Sequence, residues 1–369
     1  MKSSLVLLFP FVLLSCGAAS AQQSLPTAQA DTVAAVEKLR GNVRLDRESG
    51  EAVSVSFFGV DIADEALEHL KALKSLTHLS FDSTQITDTQ LRHLKSLERL
   101  TSLDLTSTKI TDAGLEHLQG LTGLTRLNLY GVNITDAGMQ HLNSLTRLTW
   151  ICLTKTNVTD AGLVHLTGLT SLGKLDLDRT MVTDAGLVHL KDLVSLTWLN
   201  VRETRTMDAG LVHLEGLTRL RRLELTKTQI TDAGLEHLKD LADLKHLHLG
   251  VTQVTDAGLK HLQGLTGLTE LGLNNTQVTD AGLKYLEDLT GLTMLGLGGT
   301  QVTDAGLVHL RKMPRLTTLS LFRLNITDAG VEDLKGLTSL TSLFLSGTKI
   351  TDVRLAELQT ALPKCAVAH

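Results

Sequence analysis

Ten histidines of this chain keep one spacing. His69, His93, His117, His141, His165, His189, His213, His237 and His261 follow every 24 residues, and His309 rejoins the same register after Tyr285. Thirteen aspartates keep that spacing too, from Asp64 and Asp88 to Asp328 and Asp352. Columns of imidazole and carboxylate are the raw material of metal centres. A zinc ion in a closed site needs a full tetrahedral ligand set. Here successive histidines lie one repeat apart, and the residue before them changes from Glu116 to Val164 to Lys260, so no second ligand column stands beside the first. A calcium ladder on the aspartates would need several further oxygens per ion. The histidines therefore read as half-buried helix residues and the aspartates as helix caps. Neither a metal nor a cofactor is expected.

A different chemistry shows where the repeats stop being identical. One outward position reads, repeat by repeat, Arg126, Trp150, Lys174, Trp198, Arg222, His246 and Glu270, and holds both tryptophans of the chain. The next reads Asn128, Cys152, Asp176, Asn200, Glu224, His248 and Gly272. A third gives Tyr130, Thr154, Asp178, Arg202 and Thr226, and a fourth Lys155, Arg179, Glu203 and Lys227. Aromatic residues and arginine are the types that dominate binding hot spots. The candidate ligand-binding residues are Arg126, Tyr130, Trp150, Lys174, Asp178, Trp198, Arg202, Arg222, His246 and His248. A self-contained cation–π ladder from Arg126 to Arg222 is the competing reading. Toward the C-terminus the same positions become Gly272, Gly296, Gly298 and Gly299 and should present almost nothing. No nucleophile–base–orienter set, glycine-rich phosphate loop or H-E-x-x-H occurs, so enzyme activity is not expected.

The leucines must position these residues. Around Asp112, Leu100, Leu103 and Leu105 precede, Ile110 sits just before, and Leu115, Leu118 and Leu121 follow. L-x-x-L-x-L ends in the alternation of a short strand with one face inward. G-L-x-x-L-x-x-L is spaced as an apolar helical stripe. Thr111 and Asp112 stand between them, where their side chains can cap the first helical turn. Gly114 allows close approach of a neighbouring coil. A fixed period in this range means stacked units, each unable to bury its apolar face alone.

The pattern resembles the leucine-rich repeat, L-x-x-L-x-L-x-x-N-x-L, over residues 51–352. The I-T-D-x-G-L segment is similar to the cysteine-containing-type subclass, known from ubiquitin-ligase substrate receptors and many bacterial proteins. The resemblance implies an α/β fold: a right-handed horseshoe solenoid with a parallel sheet on the concave side and helices on the convex side. The family's Asn or Cys position is threonine in Thr84, Thr108, Thr156, Thr180, Thr204, Thr228, Thr252, Thr276, Thr300 and Thr348, whose hydroxyls should bond the turn backbone. Val60, Val132 and Leu324 at that position should hold their turns by packing.

The ends differ. Residues 22–50 read as an N-terminal cap, with a helix over 32–40 and strands over Val43–Asp46 and Val53–Phe57. Residues 353–369 read as a C-terminal cap, with a helix stopped before Pro363 and a half-strand over Cys365–Val367. Lys2, the apolar Leu5–Leu14 and Ala19-Ser20-Ala21 read as a signal peptide over 1–21. Leu13-Leu14-Ser15-Cys16 also resembles a lipobox, which would end the leader at residue 15 and lipidate Cys16. The apolar stretch is too short to span a membrane. Cys152 and Cys365 lie about nine coils, or about 40 Å, apart and cannot bridge. The net charge is −5 and no basic block stands out, so nucleic acid is not an expected partner.

These features point to an exported, non-catalytic interaction scaffold that takes a protein or glycan on its concave face, in the periplasm, envelope or outside the cell. The alternative is an envelope component that spaces other parts without a specific ligand. A ubiquitin-ligase-type substrate receptor follows from the subclass resemblance alone.

Overall fold

The computed structural model describes residues 27–369. The readings of a signal peptide over 1–21 and a lipidated Cys16 lie outside the described residues. A single fifteen-stranded sheet runs in sequence order from end to end. Its first two strands, Asn42–Leu45 and Ala52–Ser56, form an antiparallel hairpin. Every later pairing is parallel, and residues one repeat apart face each other: Leu127 pairs Ile151, and Ile151 pairs Leu175. The unbroken spacing of 24 in the sequence is this register.

The leucine columns are the core. Leu118, Leu121, Leu124, Leu127, Leu129 and Ile134 of one coil are all shut from solvent, and their equivalents repeat along the whole stack. At the N-terminal end Phe57 and Phe81 take the place that Leu105 takes in the next coil, and their rings stack at 5.8 Å. The convex side differs in kind from the expected helices. Most coils carry one α-turn, such as Asp112–Leu115, followed by one 3-10 turn, such as Glu116–Leu118. In the coil of Asp88 the whole piece is 3-10. Leucines at a spacing of three, Leu115, Leu118, Leu121 and Leu124, fit the 3-10 period better than the α one. Longer helices occur only toward the ends, over Thr27–Lys38, Asp64–Leu70 and Asp352–Ala361. The first starts earlier than residue 32 and ends at Lys38, two residues before the left-handed Arg40. The last stops short of Pro363, and Ala366–Ala368 adds the closing strand.

The aspartates are not helix caps. Asp88 Oδ1 accepts from the backbone N–H of Thr111 in the next coil at 2.7 Å, and its Oδ2 from the Thr111 hydroxyl at 2.6 Å. The same strap recurs coil after coil, to Asp328 and Thr351. Capping within the turn falls to the threonine, weakly: Thr135 Oγ1 accepts from Ala137 at 3.3 Å. The glycine two residues after each aspartate leaves room for the strap, because a Cβ at Gly114 would collide with Asp88 Oδ1. The threonine turns behave as expected. Thr84 and Thr156 donate to the carbonyls of Phe81 and Leu153 at 2.7 Å. Thr348 departs from this, since its buried hydroxyl has no partner among the described residues. Val132 and Leu324 are buried and hold their turns by packing.

Candidate ligand-binding face

The register sets the outward residues side by side. Arg126, Trp150, Lys174, Trp198, Arg222, His246 and Glu270 are consecutive cross-strand partners in one row. Asn128, Cys152, Asp176, Asn200, Glu224 and His248 form the row beside it. Tyr130, Asp178 and Arg202 continue a third row just past the strand ends, where Lys155 N–H donates to the Asp178 carbonyl and Arg179 N–H to the Arg202 carbonyl. All ten candidates from the sequence thus lie on one face, in neighbouring coils.

Their environments differ. The Arg126 guanidinium lies over the Trp150 ring at 4.4 Å. Lys155 Nζ sits 4.8 Å from the Tyr130 ring centroid and donates to its hydroxyl. Lys174 is exposed. Among the described residues, Arg126, Lys155 and Lys174 have no carboxylate within ion-pair distance, whereas Arg179, Arg202, Arg222 and Lys227 of the next coils each have one. Arg179, Arg202 and Lys227 all meet Glu203, at 2.7–2.8 Å. The Arg179 hydrogen bond, helped by Lys227 and Arg202, holds the Glu203 carboxyl down at about 2. Arg222 binds Glu224 at 2.8 Å. His248 and His246 face Glu270, His246 at 2.8 Å, and hold its carboxyl at about 2. The continuous cation–π ladder does not form: Trp198 has no cation over its ring among the described residues.

In the rows beside it, burial raises three groups. Cys152 is buried and its thiol is pushed up to about 12. The Asp176 carboxyl is pushed up to about 6, although it accepts from Asp178 N–H at 3.1 Å and the Asn200 amide at 2.9 Å. Burial also raises Asp178, whose Oδ1 is enclosed without a hydrogen-bond partner among the described residues. A thiol held this far from ionisation is no nucleophile.

The C-terminal coils are not bare. The Phe322 ring leans over Gly298, filling the space a side chain there would need, and Asn274 does the same at Gly296 while accepting from Gly298 N–H at 2.9 Å. With Met294 and Phe344, both well exposed, they make an uncharged, partly apolar surface. Sequence reading missed Phe322 and Phe344 because it followed the glycines. Their place in the same outward columns as Tyr130 and Asn128 was the available signal.

On the convex side the histidines are half-buried, with His93 fully so. Several bond a residue of the preceding coil: His141 to Gln119, His237 to Glu215 and His309 to Glu287, each at 2.7 Å.

A Leucine Rich repeat family profile matches residues 99–118 and 217–239. No curated protein sequence matches the chain. An internalin (inlF) from Listeria monocytogenes is 26% identical with a TM-score of 0.65, over 93% of this chain and 94% of its own. A leucine-rich repeat protein of Leptospira interrogans is 18% identical with a TM-score of 0.62, over 90% of this chain and 94% of its own. A plant peptide hormone receptor in complex with RGF2 is 13% identical with a TM-score of 0.50, over 84% of this chain and 56% of its own. The fold is a leucine-rich repeat solenoid. No helix among the described residues is long and apolar enough to cross a membrane.

Proposed function

We propose that this protein is a non-catalytic scaffold that captures a protein partner on the concave face of coils 126–248, and that the partner presents acidic groups there. One observation carries the reading. Arg126, Lys155 and Lys174 surround Trp150 and Tyr130 without a carboxylate of their own, while the cations of the next coils are spent on Glu203 and Glu224. An incoming carboxylate finds charge-assisted donors beside aromatic area. The partner's apolar side chains find Trp198, and further along Met294 and Phe344. Leucine-rich repeat folds serve as protein-interaction scaffolds, and the likeness to the internalin (inlF) extends over nearly the whole of both chains.

The test is capture from the native host's envelope with wild-type protein and a Trp150→Ala/Trp198→Ala variant side by side. The expected result is a partner retained by the wild type and lost by the variant, with its release accelerated by salt. An identical set of retained proteins would overturn the reading. Export belongs to the same proposal and rests on Lys2, Leu5–Leu14 and Ala19–Ala21. Mass spectrometry of the native N-terminus should find Gln22 or a lipidated Cys16. An intact Met1 overturns both.

A further inference from the structure

A second site lies away from the concave rows, at the edge where the chain enters the first strands. Glu51, Ser75, Arg99, Gly123 and Arg147 are spaced by 24 and form a column along that edge. The column borders a cavity of about 480 Å³ under the turn of the N-terminal hairpin. That volume lies within the about 300–1,000 Å³ usual for small-ligand sites. Arg99 and Arg147 flank Gly123, two coils apart and so about 10 Å by strand spacing. Both are exposed, and among the described residues neither guanidinium has a carboxylate within ion-pair distance or a hydrogen-bond acceptor. Gly123 makes the gap between them. A Cβ there would sit 3.3 Å from the carbonyls of Glu98 and Leu100, and anything longer would project into the cavity.

The rest of the lining decides the ligand class. Thr77 and Thr101 form the inner wall, each hydroxyl donating to a backbone carbonyl; the Thr101 oxygen is left free to accept, while that of Thr77 is met by His78 Nδ1 at 2.8 Å. Glu51 holds the Ser75 hydroxyl at one end, and Glu98 stands beside Arg99. Among the described residues, Val53 is the only apolar side chain of the lining. Guanidinium pairs bind carboxylates and other planar anions. Hydroxyl and carboxylate acceptors suit the ligand's own hydroxyls, and apolar side chains would find nothing to pack on. We propose that this groove binds a short anionic saccharide, a sugar acid held by Arg99 and Arg147 with its hydroxyls on Thr101 and Glu98.

Calorimetric titration with trigalacturonate, using maltotriose as the neutral counterpart and hexaglutamate as the peptide counterpart, tests this on the whole protein. We expect saturable one-to-one binding of trigalacturonate, weakened about tenfold or more by Arg99→Ala and by Arg147→Ala. Gly123→Leu should block the gap with the same result, and Trp150→Ala should change nothing. Circular dichroism melts of each variant establish that the fold is kept. Absence of binding to the wild type, or binding indifferent to both arginine substitutions, overturns the site. Equal binding of maltotriose overturns the anion assignment, and equal binding of hexaglutamate overturns the saccharide one. Because Trp150→Ala leaves this groove intact, its failure and that of the concave-face reading are separable.

Discussion

Val251 turns the corner after its strand with φ of 58°, in the left-handed region. The same corner carries Ser107, Lys155, Arg179, Glu203, Lys227 and Asn275 at positive φ, and glycine at 131, 299 and 347. The corner is imposed by the stack, since in each of these coils but the last, that of Gly347, the corner N–H reaches a carbonyl in the next coil, as Val251 reaches Asn274 at 2.8 Å. A β-branched residue there is the most strained choice. Its side chain is 44% exposed, so little packing compensates. Val251→Asn should raise stability by about 1 kcal/mol, read as a higher urea midpoint at unchanged slope; a lower midpoint would refute the strain. Asp176 makes a second residue-scale case. Its folded carboxyl, at about 6, lies above its unfolded value of 3.8. The folded state therefore holds the proton more tightly. Stability rises as pH falls from about 6 toward 4, and at neutral pH the ionised group is a cost. Asp176→Asn keeps an oxygen for Asp178 N–H and the Asn200 amide. It should stabilise by about 1–2 kcal/mol at pH 7, after allowance for the solvent-facing edge of the carboxylate, and by almost nothing near pH 4. Glu203 acts with the opposite sign, its support lost only as pH falls from 4.5 toward about 2, so melting curves taken across this range separate the two.

At the scale of the coil, the aspartate strap carries the cohesion that the leucines alone do not direct. A carboxylate taking one N–H and one O–H from the next coil fixes coil to coil in register. The strap is incomplete at Met207, where only the backbone N–H reaches Asp184, at 2.6 Å. Met207 is 45% exposed and fills no core space. Met207→Thr should restore the missing hydroxyl bond and add about 1 kcal/mol, whereas Asp160→Ala should remove a complete strap and cost about 2 kcal/mol or more. Thermal or urea unfolding reads both, and a Met207→Thr midpoint at or below wild type would show that the hydroxyl contributes nothing. This element also marks what could be read beforehand. The strands and the core were legible because alternation in L-x-L and burial of every leucine are local consequences of side-chain polarity. The strap was not. An aspartate before an apolar turn looks the same whether it caps its own turn or reaches the next coil, and a period of 24 does not say which neighbour supplies the donor. The kind of helical turn was not legible for a related reason: spacing by three was present in Leu115, Leu118 and Leu121, but three and 3.6 diverge too little over so short a run.

Over the whole molecule, the core fixes the inward positions, and only the outward ones are free to differ from coil to coil. The outward rows were legible, since Trp150, Lys174 and Trp198 follow from the register alone, and the structure places them as cross-strand neighbours. Which cations stay free was not, because pairing depends on side-chain reach across coils: Glu203 gathers three cations and leaves Lys174 alone. Deleting one unit outside the patch, residues 277–300, should leave a folded protein one strand shorter, because each coil contacts chiefly its neighbours. The central patch should be sensitive in a way that the rest of the sheet is not. Trp150 and Trp198 are half-buried on the outward face and belong to no part of the core. Two coils separate them, about 10 Å, with Lys174 between. Trp150→Ala removes ring area and the seat of Arg126 together, and Trp198→Ala removes ring area alone. Each should weaken capture of the partner by about 2 kcal/mol or more, a hot-spot loss, with melting temperature nearly unchanged. Asn275→Gly, at an outward corner that already has positive φ, is the matched control and should leave affinity as it is. Equal losses from the tryptophan and asparagine substitutions, measured by titration with the captured partner, would place the binding surface elsewhere on the solenoid.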